Sequence, residues 1–294
     1  MLAALRQHLI LQELQSQGTV KVAALAELLE VSEMTVRRDI DALDADGLLL
    51  RVHGGAARKD SFSAWEPAFA SKSTRELGAK AAIAAEAANL IEPGMTLLIS
   101  GGTTTFELAR ILPRDLGLIV ATNSIMVANS LAAGGPSDEG DGIRTLILGG
   151  ERTPSQALVG PLAAQAVRTV DADLCFMGVH GLDLQAGITS PNLLEAELNA
   201  AMIETSRRLV VLADATKYGL VGLAGICAVS AVDTLITDSR IEELPGNPLA
   251  ALREAVRDVR VAAVPQGRDG PAEHHHQRHP ARAQQLPVPA SQRT

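Results

Sequence analysis

The chain is poor in aromatic rings: one Trp, one Tyr and four Phe make up 2% of its 294 residues. Proteins that hold single-stranded nucleic acid stack bases on a row of aromatic side chains, and so few rings cannot supply one. Cysteine is as scarce. Cys175 and Cys227 each sit in an apolar, strand-like stretch, without a neighbour at metal-ligand spacing. A disulfide framework is thereby excluded, and two buried, inert thiols in a reducing compartment are expected. No apolar run reaches the roughly 18 residues of a membrane span. The first residues, from Met1 to His8, place a charge inside the apolar pattern and lack the core and cleavage site of a signal peptide. A cytoplasmic protein, away from the membrane, is expected. Positive charge is also short: the net charge of −8 argues against a protein that coats nucleic acid. It does not exclude a site-specific reader, which needs only local Arg and Lys.

What is present divides into two patterns. Near the N-terminus, Leu2, Leu5 and Leu9 mark an apolar row with Ile10 and Leu14 beside it, and Gly18 closes this first helix. A second helix follows, with Val22, Leu25, Leu28 and Leu29 expected inward. Glu30-Val31-Ser32 is a tight connection, and Ser32 is a good N-cap for a third helix that buries Val36, Ile40 and Leu43 and ends at Gly47. Two helices joined by so short a turn form a helix-turn-helix pattern. The next stretch, Leu48 to Ala56, reads as a strand, a tip at Gly54-Gly55 and a returning strand, the shape of a β wing.

Burying Val36 and Ile40 turns Thr35 and Arg38 outward together, with Arg37 on the flank. Residues at the start of such a helix reach base edges in the major groove. There Arg can donate twice to guanine and Thr can meet a thymine methyl. Glu33 or Asp39 could accept from cytosine. Arg51 and His53 on the wing, with Arg58 and Lys59 after it, are placed to hold phosphates. The plainer alternative is that Glu33–Arg37 and Arg37–Asp41, both at i,i+4, merely decorate a solvated helix. The basic, Gly-tipped wing behind the arginines favours duplex DNA. Val31-Ser32-Glu33-Met34-Thr35-Val36-Arg37-Arg38-Asp39-Ile40, followed by Arg51-Val52-His53-Gly54-Gly55-Ala56, resembles the N-terminal signature of the DeoR family of bacterial transcriptional regulators.

Residues 58–75 lose the period and gain polar residues and a proline, as a linker does. From Glu76 the pattern changes to apolar runs (96–100, 118–122, 144–148, 174–179, 209–213 and 234–237) alternating with helical stretches (77–90, 104–112, 161–169 and 191–206). Such alternation predicts a mostly parallel sheet covered on both faces. The expected organisation is a mainly α winged helix-turn-helix domain over 1–57, a linker over 58–75 and a larger α/β domain over 76–264. The tail over 265–294 is rich in Pro, Gln, Arg and His and expected to be disordered. Its His274-His275-His276 and His279 lack a partner for a defined metal site. No cofactor is implied.

The sharpest feature of the second half is Gly101-Gly102-Thr103-Thr104-Thr105, directly after a strand and opening a helix. Glycines let a ligand approach the backbone, and helix N-terminal amides with three hydroxyls make an anion site. Neither the P-loop Lys-Ser/Thr nor the dinucleotide G-x-G-x-x-G spacing is present, so a phosphate on a small molecule is the natural occupant. An ordinary turn capping a helix is the alternative. Asn123, Asp183, Asp214 and Lys217 also stand at strand ends, where α/β sheets bind ligands. The two aspartates could accept sugar hydroxyls, and Lys217 could pair with phosphate or with a carboxylate.

This half is similar to the DeoR sensor domain, itself akin to the ribose-5-phosphate isomerase fold. The pieces that match are Gly102-Thr103-Thr104-Thr105, Thr122-Asn123-Ser124, Leu148-Gly149-Gly150, Val159-Gly160, Gly181-Leu182-Asp183, Gly187-Ile188-Thr189, Glu195-Ala196-Glu197, Asp214 to Gly219 and Thr237-Asp238. The resemblance covers roughly 1–264. It implies a cytoplasmic repressor that answers to a phosphorylated sugar or related metabolite, acting as a homodimer or tetramer on repeated half-sites. Ser100 and Gly101 depart from the family, which often has an acidic residue just before the Gly-Thr-Thr turn. The rival reading is a sugar-phosphate isomerase with an added DNA-binding head, in which an Asp and a Lys beside a phosphate cradle act as acid and base. No residue in the sequence fixes such a base geometrically, so no catalytic residue is assigned.

Overall fold

The computed structural model describes residues 3–17, 19–46, 48–52, 54–57, 66, 68–132 and 142–264. Leu2, Gly18, Gly47, His53, Arg58, Lys59 and the tail beyond 264 lie outside the described residues.

The N-terminal unit runs α1 (Ala3–Gln17), β1 (Thr19–Lys21), α2 (Val22–Leu29), α3 (Glu33–Ala45), β2 (Leu50–Val52) and β3 (Gly55–Ala57). Helix α2 stops because Glu30 turns left-handed, at φ 53°, and points its N–H back at Ala26 and Glu27. Helix α3 starts where Ser32 caps it, its hydroxyl accepting from Thr35 N. The small core gathers Ile10, Leu14, Leu25, Leu29, Val36, Ile40, Leu43 and Leu49. Two expected core positions are not in it, since Leu5 is 52% and Leu28 59% exposed. The inward stripe of α1 is the i,i+4 pair Ile10–Leu14, and α2 is covered on the side of Leu25 and Leu29 only. Strand β1, absent from the sequence reading, completes a sheet of order β1-β3-β2. Gly54 takes the wing tip at φ +80°. Gly55 has a different duty: a Cβ there would collide with the Val20 carbonyl of β1.

The second unit comprises α4 (Phe69–Ser73), α5 (Leu77–Ala88), β4 (Thr96–Ile99), α6 (Thr103–Ile111), β5 (Ile119–Thr122), α7 (Ile125–Ala132), β6 (Arg144–Ile147), β7 (Glu151–Arg152) and β8 (Leu158–Val159). It continues with α8 (Pro161–Val167), β9 (Leu174–Gly178), β10 (Gly181–Asp183), β11 (Gly187–Ser190), α9 (Leu193–Glu204), β12 (Leu209–Leu212), β13 (Ala224–Cys227), β14 (Thr234–Asp238), α10 (Pro248–Ala255) and β15 (Asp258–Ala262). Seven strands pair in parallel in the order β15-β14-β12-β9-β4-β5-β6. All six expected runs are among them.

The continuous apolar strands are explained by two cores, one on each face. Leu98, Cys175, Met177, Val211 and Leu235 pack on one side. Leu97, Ile99, Phe176, Val210, Leu212 and Ile236 pack on the other. The topology also creates an opening. From β4 the chain builds outward through β5 and β6, then returns to place β9 on the opposite flank of β4. The loops leaving the C-terminal ends of β4 and β9 therefore diverge, which is where ligands enter such sheets.

Candidate functional site

On α3 the reading positions present a mixed picture. Arg38 is exposed, and among the described residues no carboxylate pairs with it. Arg37 is exposed but donates to Glu33 at 2.9 Å. The half-buried Thr35 hydroxyl stands 2.9 Å from Ser32 Oγ, so part of its capacity is used within the cap. Arg51 on β2 donates to Asp41 at 2.5 Å, and its N–H reaches Asp44, which ties the wing to α3. Arg37, Arg51, Gly54 and Gly55 border one recess between helix and wing. Asp39 is not available to bases. It is 5% exposed and held by Arg6, whose Nε and second guanidinium nitrogen reach its two oxygens at 2.7 and 3.2 Å. The pairing raises the pKa of Arg6 and makes Asp39 a brace between α1 and α3.

Above the diverging ends of β4 and β9 lies a cleft of about 880 Å³. One wall is the turn that opens α6. Gly101 N–H donates to Asn123 Oδ1 at 2.8 Å, and Asn123 Nδ2 donates to Leu158 O at 3.1 Å. A Cβ on Gly101 would stand 2.8 Å from that of Ala157, so the turn packs too tightly for a side chain. Ser100 Oγ accepts from Gly178 N at 3.0 Å and binds the ends of β4 and β9 together. Ser100 thus serves as a strand tie. Gly101, Gly102, Thr103 and Thr104 line the cleft. Thr105 is turned inward and donates to Gly102 O at 3.0 Å.

The opposite walls carry charge of both signs. Asp214, buried, caps the turn after β12 by accepting from Thr216 N at 3.1 Å, and it lines the cleft with Lys217. Asp238 secures the same turn through Ala215 N at 2.8 Å, while Arg240 joins Asp238 to Glu76. Burial works against the charged Asp238, but hydrogen bonds from Arg240 and Ala215 outweigh it and hold its pKa below the usual range. Asp183 does not line the cleft. Its carboxylate accepts from Gln185 and Ala186 N–H at 2.9 and 2.8 Å and shapes the β10–β11 turn. Asn123 and Thr105 likewise serve the scaffold of the site.

Several lining residues went unnoticed in the sequence. Lys80 is almost fully buried, and its Nζ donates to the carbonyls of Lys72 and Arg75 at 2.6 and 2.5 Å. Burial pushes it down to about 8; Asp214 opposes this and Lys217 adds to it. Burial also lowers Lys72, against the attraction of Glu195. Glu195 is raised by burial, although Ser190 Oγ donates to it at 2.7 Å. Glu66 is hydrogen-bonded by Asn192 Nδ2 at 2.8 Å and Ser155 N at 3.1 Å, which hold its pKa down despite burial. A lone Lys on the Ala79–Ile83–Ala84–Ala87 face of α5 was a usable signal, since such a face rarely tolerates a charge without a task. Glu66 and Lys72 offered none, because they lie in the stretch without period. The arrangement suits a small, doubly natured ligand: amides, hydroxyls and lysines for an anion, carboxylates for hydroxyl groups.

Cys175 is buried as expected, whereas Cys227, on the edge strand β13, is only partly so; burial raises their thiols to about 12 and about 11, away from the thiolate form. Among the described residues no group of His, Cys, Asp and Glu is placed to hold a metal ion, and no helix is long and apolar enough to cross a membrane.

Comparison with known proteins gives concordant results for the two units. Residues 6–62 match the family model of the DeoR-like helix-turn-helix domain, and residues 75–239 that of the DeoR C terminal sensor domain. A protein of Escherichia coli O157:H7 named for transcriptional repression of the aga operon is 35% identical over 86% of this chain and 92% of its own length. The transcriptional regulator GlpR of Haloferax volcanii is 33% identical over 90% and 98%, and the transcriptional repressor CsqR of Escherichia coli K12 is 32% identical over 88% and 94%. Among solved structures, ribose 5-phosphate isomerase A of Methanocaldococcus jannaschii aligns at 17% identity with a TM-score of 0.34, over 47% of this chain and 53% of that one.

Proposed function

Because the chain belongs to the DeoR family of transcriptional regulators, we propose that it represses genes of carbohydrate metabolism and that a phosphorylated sugar in the cleft sets its grip on the operator. That it is a DNA-binding regulator, and not an isomerase, follows from the family and from relatives named as regulators and repressors. The rest is our reading. Thr35, Arg37 and Arg38 read bases from the start of α3, which Ser32 caps, while Arg51, His53, Gly54 and Gly55 bring the wing to the phosphates. The ligand phosphate sits at Gly101, Gly102, Thr103 and Thr104 with Lys217, and Asp214 accepts hydroxyls. Asn123, Thr105 and Asp183 support the walls. Residues 1–57 act as the DNA head, 58–75 as connector and 76–264 as sensor. A cytoplasmic homodimer or tetramer on repeated half-sites completes the proposal.

One observation carries the effector reading: the open N-terminus of α6 and the side chains of Lys72, Lys80 and Lys217 share one cleft with Asp214 and Glu195. The test is a thermal-shift panel of pentose and hexose phosphates on the full chain. Each hit is followed by binding to the DNA upstream of its own gene, with and without the compound. Phosphosugars that raise the melting temperature and change DNA affinity support the proposal. No shift with any of them refutes the effector, and steady turnover of a hit would restore the isomerase reading.

A further inference from the structure

Asn199 lines the same cleft and is 3% exposed. Its Oδ1 is the single buried side-chain polar atom, among the described residues, without a hydrogen-bond partner. Such a group is costly to leave unmet, and native structures rarely retain one without a use. The surroundings point to the use. Helix α9 is capped by Asn192, whose Oδ1 accepts from Leu194 N at 3.0 Å and Glu195 N at 3.2 Å. Glu195 and Asn199, one turn apart, therefore both line the cleft, with Ser190 already bound to Glu195. The anion-binding turn of α6 belongs to a different element. The α9 wall, with Ser190 from the end of β11, offers a carboxylate, a carboxamide and a hydroxyl, and Lys72 of α4 faces its Glu195.

We propose that Asn199 is a specificity-determining residue: with Glu195 it reads a ligand hydroxyl and rejects the deoxy analogue. This rests on the phosphosugar reading above. The physical basis is asymmetric. A site built to hydrogen-bond a hydroxyl leaves its own buried polar groups unpaired when the hydroxyl is missing, so discrimination far exceeds the gain from one contact. A carboxamide suits this task because a hydroxyl can donate to its oxygen or accept from its nitrogen. An apolar residue of the same size would fill the space and discriminate poorly.

The experiment uses the full chain and Asn199→Leu, which keeps the branched skeleton without its polar atoms, with Asn199→Ala as a second variant. Melting temperature is measured alone and with inorganic phosphate. Dissociation constants are then measured for hydroxy and deoxy pairs, such as ribose 5-phosphate with 2-deoxyribose 5-phosphate and glucose 6-phosphate with 2-deoxyglucose 6-phosphate. The expected result is a higher melting temperature for Asn199→Leu without ligand, an unchanged shift with phosphate, and at least a tenfold loss of the parent's preference for a hydroxy member. A structural asparagine would behave oppositely: both variants would melt lower and keep the parent's preference, which overturns the proposal. Parent binding without any hydroxy–deoxy preference also overturns it, leaving the phosphosugar reading intact. If no phosphosugar binds the parent, both readings fall.

Discussion

Replacing Asn123 by Leu should separate scaffold from ligand contact in the cleft. The side chain is fully buried, and both ends of its amide are spent on backbone: Oδ1 accepts from Gly101 N at 2.8 Å and Nδ2 donates to Leu158 O at 3.1 Å. Leucine has the same branched skeleton and leaves no cavity, and its bulkier methyl groups can only add to the loss. What remains is two orphaned groups at about 1–3 kcal/mol each. Gly101 is only half-buried at the edge of the cleft, so the lower half of the sum applies, about 2–4 kcal/mol. For a unit of this size that is a fall in melting temperature of roughly 4–16 °C. Calorimetry on the full chain would report it, and a phosphosugar hit should lose affinity because the turn opening α6 is no longer pinned. Asn123→Asp gives an internal check. Its ionised form cannot donate to Leu158 O, whereas its protonated form can, so stability relative to the parent should recover as the pH falls from 7 toward 5. A Leu variant within about 1 kcal/mol of the parent, well under the orphaning cost of two groups, would refute the reasoning.

On α3, Arg38→Ala should weaken specific DNA binding by about 1–3 kcal/mol, roughly 5- to 150-fold, in fluorescence anisotropy at fixed salt. Arg37→Ala should cost less, because Glu33 already shares its guanidinium; equal, negligible losses would sink the assignment of α3 as the reading helix. Affinity for inorganic phosphate, measured calorimetrically, should fall as the pH climbs through about 8, where Lys80 gives up its proton. The sign is fixed by linkage: with the folded pKa below 10.5, the unfolded chain binds more protons between about 8 and 10.5, so this group adds stability as the pH rises while the cleft loses a cation. Arg240→Ala strands the buried Asp238 and frees the half-exposed Glu76. Since Arg240 is itself a third exposed, the cost is discounted from the buried-pair range to about 1–3 kcal/mol. In urea melts that deficit should shrink as the pH falls below about 3.8, because the depressed pKa of Asp238 makes its contribution one present above that value and lost on protonation.

The legible parts of the molecule are those written in local chemistry. Ser32, the turn at Glu30 and the period of Val36, Ile40 and Leu43 sit within a few residues of one another, so α3 could be read without knowing what covers it. The inner strands were legible because both faces are buried and nothing polar interrupts them. Strand β15 escaped for the opposite reason: at the edge of the sheet, Asp258 and Arg260 alternate with valines, and Arg260 pairs with Asp258 and Glu86. The expectation for Asp183 came from its place at a strand end. Which way a carboxylate turns there depends on the hairpin that follows, and Gln185 and Ala186 take it. Glu66, Lys72 and Arg75 could not be anticipated, since long-range packing alone carries that stretch to the cleft.

That stretch has a consequence for control. Burial is the larger cost to the charge of Lys72 and of Lys80, and to it Lys217 adds at Lys72, and Lys217 and Lys72 add at Lys80. Lys72 and Lys80 thus sit where their charged forms are disfavoured, and a phosphate bound beside them, as proposed, would relieve it. The relief is local to the ligand but not local in the chain. Lys72 lies on α4, and Phe69 of the same helix packs edge-on against Phe106 of α6, the helix whose N-terminal turn forms one wall of the cleft. Glu66, just upstream, is fastened to Ser155 and to Asn192 at the head of α9. Glu66, Lys72 and Arg75, just ahead of α5, thus line the cleft while tied to two of its walls. On the proposed effector reading, a ligand that pairs with Lys72 would act directly on the stretch that joins the two units.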